Sequence, residues 1–257
     1  MRVLVTGGTG RLGSAVVQGL RDGGHEPTIL SRTAGDGRVV GELATGVGLP
    51  AAVEGVDAIV HAASDSRGDA RATDVEGTRR LARAGIPILY VSIVGVERHP
   101  LKYYQIKHEG ELTLAGTGCP WTVLRATQFH AFVDDILGMS YRGVGGKVPF
   151  LRGSHRQPLL VPSGWRLQPV SHYEVADRIV DLVEAGPTSS IEQFAGPEEL
   201  DTVELARAWA DKHIGKVVAI PTVGRVASAY RRGYALPAAG VELGEVTLAD
   251  YLHGATR

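Results

Sequence analysis

The sequence predicts an α/β fold, a doubly wound parallel sheet with helices on both faces and a small C-terminal region. Three observations predict it. Over the first 125 residues, short runs rich in β-branched side chains alternate with helix-periodic stretches, the pattern of strands joined by covering helices. A glycine-rich segment, Gly7-Gly8-Thr9-Gly10-Arg11-Leu12-Gly13, separates the first such run from the first helical stretch. Past Arg125 the alternation gives way to a less regular composition.

Taken in order, strands are expected at residues 2–6, 26–30, 38–41, 58–62, 86–92 and 122–125. Helices are expected at 13–22, 50–54, 75–84 and 103–115. Val3-Leu4-Val5 reads as a buried strand. Leu12, Val16, Val17 and Leu20 recur at helical spacing, which seats one face on a sheet, and Gly23-Gly24 ends that helix. Residues 138–165 are rich in glycine, proline and arginine and read as a long loop with a short hairpin. Val175, Ile179, Val180 and Val183 mark another helix, and residues 191–195 a short strand. Asp201 or Thr202 caps a helix reaching Trp209, with Glu204 in its first turn, and residues 217–220 are a last strand. Residues 1–125 form the core, with 166–197 returning to it. Residues 126–165 and 198–257 form the smaller region.

Composition narrows the function classes. The 257 residues carry 27 basic and 28 acidic side chains, a net charge of −1 with neither sign concentrated, so neither nucleic acid nor membrane is expected as a partner. One cysteine, Cys119, excludes a disulfide framework and a thiolate metal cluster. No signal-peptide core follows Met1, and no apolar run reaches the ~18 residues of a span. A cytoplasmic protein, monomer or homodimer, is the expectation.

The glycine segment carries the chemistry. Gly7 permits a tight turn, Gly10 lets the backbone approach a pyrophosphate, and Gly13 allows close packing of helix on strand. The N–H groups opening the helix then hold the anion, as in a Rossmann dinucleotide site. At the end of the second strand an NAD site wants an acidic residue. Here stand Ser31 and Arg32, and a guanidinium beside a hydroxyl suits the 2′-phosphate of NADP. The other reading of Arg32 is a solvated surface arginine.

Further segments agree: His61-Ala62-Ala63-Ser64, Asp74-Val75-Glu76-Gly77-Thr78, Tyr90-Val91-Ser92, residues 121–129 and Phe194-Ala195-Gly196-Pro197-Glu198. With Thr-Gly-Gly-Thr-Gly-x-x-Gly they resemble the short-chain dehydrogenase/reductase superfamily, in its extended or atypical branches, and the NmrA-like NAD(P)H-binding subgroup. The resemblance implies a Rossmann core with a small C-terminal substrate-binding region. It implies that Thr9, Arg11 and Leu12 line the pyrophosphate, that Glu42 and Leu43 lie near the adenine, and that Ala62 and Ala63 border the nicotinamide ribose. Ser64, Ala126 and Thr127 complete the expected cofactor set.

Tyr103 and Lys107 form a Tyr-x-x-x-Lys pair on one helical face, with Ser92 ending a strand upstream. A phenol with pKa near 10 is a poor acid–base group until a cation favours its anion. Lys107 is expected to supply that charge and to hold the ribose hydroxyls, while Ser92 bonds the substrate oxygen. The resemblance assigns the same roles. The competing readings are a solvated lysine with a surface tyrosine, or Tyr104 in the phenol's role. One departure stands out: Asp74 occupies a position where extended members often carry asparagine.

Gln128, Phe129, His130 and Phe132, leaving the sixth strand, and Trp165 are candidate substrate residues. His130 reads equally as a packed histidine. Arg142, Lys147, Arg152 and Arg156 make the 138–165 segment either a lid for anionic or phenolic substrates or a solvated flap. The nine histidines show no metal-ligand spacing, so no metal is expected. These residues point to an NADP-dependent oxidoreductase acting on a small-molecule carbonyl, quinone or activated alkene. The alternatives are a non-catalytic NADP(H)-sensing regulator and a nucleotide-sugar epimerase with held NAD.

Overall fold

The computed structural model describes residues 1–65, 68–147, 158–213 and 216–254. It divides into two compact units. The first comprises Met1–Glu97, Leu101–Ala126 and His172–Gln193, and the second Arg98–Pro100, Thr127–Ser171 and Phe194–Arg257.

In the first unit β1 (Arg2–Thr6) leads through the glycine segment into α1 (Arg11–Asp22). Then come β2 (Glu26–Ser31), β3 (Arg38–Val40), the short α2 (Leu49–Ala52) and β4 (Ala58–His61). A π-helical turn over Ala72–Gly77 runs into α3 (Thr78–Ala82), followed by β5 (Ile88–Ile93), α4 (Lys102–Ala115) and β6 (Trp121–Ala126). The later elements are α5 (His130–Lys147), β7 (Pro158–Pro162), β8 (Arg166–Leu167), α6 (His172–Ala185), β9 (Ile191–Ala195) and β10 (Leu200–Asp201). After them come α7 (Thr202–His213), β11 (Lys216–Ile220), α8 (Arg225–Arg231), β12 (Glu242–Leu243) and α9 (Leu248–Leu252).

The main sheet has eight strands in the order β12-β9-β6-β5-β4-β1-β2-β3. The pairings of β1 with β2 and β4, of β4 with β5 and of β5 with β6 are parallel. The chain runs outward from β1 through β2 to β3, then returns to β4 and runs the other way. The strand order therefore reverses beside β1, which opens a crevice at the carboxyl ends of β1 and β4. Val3, Leu4, Val5, Ile59 and Val60 are wholly buried, as central parallel strands covered on both faces require. Helix α1 buries Leu12, Val16, Val17 and Leu20 and packs against α6, which buries Val175, Ile179, Leu182 and Val183.

The second unit has its own core, in which Leu159 and Val161 of β7 meet Leu205, Ala206 and Trp209 of α7 and Leu248 of α9. Strands β7 and β11 pair in parallel, β8 and β10 antiparallel, and Trp209 Nε1 donates to Asp134 Oδ1 at 2.7 Å.

The reading of residues 138–165 as a long loop is corrected here. Helix α5 continues to Lys147, taking in Arg142, and β7 occupies Pro158–Pro162. Gly138, Gly143, Gly145 and Gly146 strip the segment of helix propensity, yet Val133, Leu137 and Tyr141 recur every fourth residue and pack into the second core. Burial overrides propensity. Arg152 and Arg156 lie outside the described residues. Among the described residues no helix is long and apolar enough to cross a membrane.

Candidate functional site

The crevice begins where β1 stops. Gly7 has φ +72°, and a Cβ there would lie 2.7 Å from Ala63 N, so only glycine turns the chain this close to the β4 exit. A Cβ on Gly13 would collide with the Gly7 carbonyl oxygen, which fixes glycine where α1 crosses the turn. Gly10 is the N-cap of α1 and offers no side chain to its first-turn N–H groups, and no acidic residue stands there either. Those donors point at a site for an anion. Across the crevice, His61 of β4 is wholly buried with Nδ1 2.8 Å from Thr6 Oγ1, and that oxygen accepts Ala63 N–H at 3.2 Å. This tie holds Ala62 and Ala63 against the glycine turn. Burial, then the Lys107 charge, brings the His61 pKa down to about 4.

A cavity of about 650 Å³ occupies the crevice, a size suited to a small-molecule or cofactor ligand. Its wall takes in Gly7, Thr9 and Gly10 on one side and Ala62, Ala63 and Ser64 on the other. Ser31, Arg32, Glu42 and Leu43 stand at the β2–β3 end. Leu12 and Gly13 are buried in α1, and Arg11 is exposed at its first position. Sequence reasoning missed Thr33 and Arg38, also in the wall. Arg38 opens β3 in register with Ile29, so a second guanidinium lines the cavity with Arg32, and the hydroxyls of Ser31 and Thr33 line it too. Pairing of β2 with β3 is the signal that brings Arg38 there. The donors suit an adenine dinucleotide, with bare amides for a diphosphate.

Ser64, in that wall, leads to the acid–base cluster. Its hydroxyl donates to Asp74 Oδ2 at 2.7 Å and lies 2.8 Å from Tyr103 Oη. Asp74 sits on the π-helical turn, wholly buried, and receives Lys107 Nζ on Oδ1 at 2.8 Å and Tyr90 Oη at 3.2 Å. Lys107 also donates to Val91 O at 2.6 Å and lies 4.0 Å from the Tyr90 ring centroid. Burial opposes the Lys107 charge, but Tyr90 and Asp74 outweigh it and lift its pKa. Gly110 makes this packing possible, because a Cβ there would meet Tyr90 Oη at 2.5 Å and Asp74 O at 2.6 Å. One turn further along the same face of α4, Glu111 takes a bidentate grip from Arg125 of β6, at 2.9 and 2.7 Å, which fixes the helix on the sheet.

One expectation is corrected here. Lys107 does not prepare Tyr103 as an anion, because its charge is matched by Asp74. Burial, then the Asp74 charge, pushes the Tyr103 phenol up to about 12, with the Ser64 bond pulling the other way. Tyr103 is thus a phenol, not a phenolate, at neutral pH. The hydroxyl bonded to it belongs to Ser64, whereas Ser92, at the end of β5, is buried with no partner for its Oγ among the described residues. A buried hydroxyl without a partner costs about 1–3 kcal/mol, and a ligand oxygen would relieve that cost. Tyr104 is buried and Tyr103 only partly so, which puts Tyr103 at the accessible end.

Ala126, in β6, is paired with Ile93, and Thr127 opens the second unit. There, Phe129 bridges Val170, Gln128 is buried and Phe132 is half exposed. Two expected substrate residues turn out to be packed. His130 is wholly buried, with Nε2 3.0 Å from Pro169 O. Trp165 stacks on Tyr230 at 4.4 Å and 10° and donates to Thr222 Oγ1 at 2.9 Å. Stacking and packing distant in sequence left no local signal. No group of three or more His, Cys, Asp or Glu among the described residues is placed to hold a metal.

Residues 3–85 match the NAD dependent epimerase/dehydratase family. Photosystem II assembly factor Ycf39 of Synechocystis sp. is 33% identical over 156 residues, which cover 54% of this chain and 47% of that protein. The chain spans less than half the length of the curated relatives it matches. Among solved structures, Citrobacter sp. triphenylmethane reductase complexed with NADP(H) superposes with TM-score 0.75 at 17% identity, over 99% of this chain and 100% of that one. A short-chain dehydrogenase/reductase superfamily protein from Agrobacterium tumefaciens with bound NAD gives TM-score 0.74 at 20% identity, over 100% and 96%. Sheet order, glycine turn and these matches agree: the chain has a Rossmann fold, and its residues 3–85 are similar to the NAD dependent epimerase/dehydratase family.

Proposed function

We propose that the chain is an NADP-dependent oxidoreductase that transfers a hydride between the nicotinamide and a small-molecule carbonyl, quinone or activated alkene. One observation carries the reading: Ser64 lies in the cavity wall and is bonded to Tyr103, so a single hydrogen bond joins the wall of the cavity that suits a dinucleotide to the phenol. In this reading the amides opening α1 hold the diphosphate, and Arg32 and Arg38 hold the 2′-phosphate. Bound NADP supplies the hydride chemistry. Tyr103 gives or takes the proton at the substrate oxygen, and the Ser92 hydroxyl donates to that oxygen as its charge changes. Lys107, matched by Asp74, keeps α4 and the π-helical turn in place. The test is NADPH consumption over a panel of quinones, enones and ketones with Tyr103→Phe beside wild type. The variant is expected to lose at least about a hundredfold in kcat. Equal rates would remove Tyr103 from the reaction.

A second reading, binding of NADP(H) as a sensor without turnover, is favoured by the pairing of Lys107 with Asp74 at 2.8 Å, which leaves the phenol without a cation partner in that pair. Tight NADPH binding with no consumption across the panel supports it.

A further inference from the structure

We propose that Ser64 and Asp74 form a proton relay behind Tyr103, with Ser64 as the positioning hydroxyl and Asp74 as the carboxylate on which the proton comes to rest. The inference rests on the hydride-transfer reading, and its geometry stands on four atoms. An ionised carboxylate only accepts hydrogen bonds, and Asp74 Oδ1 is ion-paired with Lys107 Nζ at 2.8 Å. The single Ser64 proton therefore points at Asp74 Oδ2, 2.7 Å away. Ser64 Oγ can then only accept from Tyr103 Oη, 2.8 Å away. The direction of the chain is settled without sight of a hydrogen: Tyr103 donates to Ser64, and Ser64 donates to Asp74. With its own proton turned inward, Tyr103 presents a lone pair outward, where a substrate hydroxyl would donate.

The step balances. In alcohol oxidation the substrate O–H bond breaks and its proton joins Tyr103 Oη. The Tyr103 proton passes to Ser64 Oγ, and the Ser64 proton passes to Asp74 Oδ2, leaving a neutral carboxylic acid. With NADP bound, its oxidised nicotinamide would take the carbon-bound hydrogen with its electron pair, which balances the oxidation of the substrate. The reverse reaction starts from the neutral Asp74 that oxidation leaves and returns the proton along the same chain. Asp74 is wholly buried, and Ser64, which borders the cavity, is the hydroxyl that links it to the phenol. Lys107 keeps its bond to Val91 O when Asp74 is neutralised, so the cation is not stranded. The aspartate that departs from the asparagine of extended members thereby gains a reason: asparagine cannot store the proton.

The test begins on the protein without cofactor. With tyrosine labelled at Cζ, the Tyr103 signal is identified by its loss in Tyr103→Phe and followed by NMR at neutral pH. Ser64→Ala is expected to move it and Ser64→Thr to restore it. Asp74→Asn is expected to move it in the wild-type background and not in the Ser64→Ala background, the signature of coupling through the hydroxyl. Equal effects in both backgrounds make Asp74 a charge acting through space and overturn the relay. A signal unmoved by Ser64→Ala overturns it as well. In turnover, Ser64→Ala is expected to lower kcat about tenfold or more, well beyond any rise in the KM for NADPH, and Ser64→Thr to regain it. An undiminished kcat in Ser64→Ala overturns the relay. Absence of any turnover in wild type refutes the oxidoreductase reading instead, while the NMR cycle still judges the relay.

Discussion

Lys107 Nζ lies 2.8 Å from Asp74 Oδ1, and both side chains are buried in the core of the Rossmann unit. Neither charge can be removed alone without stranding the other. Lys107→Met or Asp74→Leu is expected to cost about 3–5 kcal/mol of stability, and the double replacement considerably less than the sum. Denaturant unfolding of the four proteins measures it, and additive losses would deny the coupling.

His61 makes stability depend on pH. Its folded pKa, about 4, lies below the ordinary 6.5, so between those values the unfolded chain binds the extra proton. Its contribution is complete above pH 6.5 and is lost as the pH falls toward 4, by about 3 kcal/mol in all. The groups facing it are the Thr6 hydroxyl, the Thr73 backbone, the Tyr90 ring and the Lys107–Asp74 pair. Unfolding curves at pH 7 and pH 5 are expected to differ more in wild type than in His61→Gln. An identical difference in both would place the titration elsewhere.

Gly110→Ala reverses the usual sign of a glycine replacement in a helix. In an exposed helix interior alanine gains about 1 kcal/mol, but here the added methyl meets Tyr90 Oη and Asp74 O. A net loss of about 1–3 kcal/mol in unfolding experiments is expected. Unchanged or raised stability would mean that α4 and the π-helical turn can part at little cost.

Cofactor choice is expected to lie with two arginines. Arg32→Ala and Arg38→Ala should each weaken NADPH binding by about ten- to a hundredfold and leave NADH nearly untouched, measured by calorimetry. Equal affinity for the two cofactors in wild type would contradict this.

Tyr103 is expected to remain protonated through neutral and mildly alkaline pH, since its phenol lies near 12. Carbonyl reduction, which uses that proton, should therefore show no alkaline fall from Tyr103 below pH 10, the ordinary phenol value. A fall below pH 10 that disappears in Tyr103→Phe would show a cation acting on the phenol after all.

What was legible in the sequence was local. Gly7, Gly10 and Gly13 declare the turn because three backbone demands fall within seven residues, and Val3-Leu4-Val5 declares a buried strand by itself. Helix α5 was hidden because its glycines silence propensity while Val133 and Leu137 are paired with a core far along the chain. Arg38 joins Arg32 only through the pairing of β2 with β3. Lys107 was assigned to Tyr103 from their spacing of four residues. Its partner is an aspartate on another element, and the Tyr103 hydroxyl found a serine across the crevice. Spacing reports which side chains share a helix face and says nothing of what is packed against that face.

The wide turn over Ala72–Gly77 accommodates one residue more than an ordinary helical turn. Upstream of α3, whose Leu81 and Ala82 stay on the core, that surplus residue shifts the angular phase of Asp74 by about 100°. Excising a single position from this stretch would carry the carboxylate round the helix axis, away from both serine and lysine, while leaving Leu81 and Ala82 of α3 on the core. Such an excision separates the wiring of the site from the packing that surrounds it.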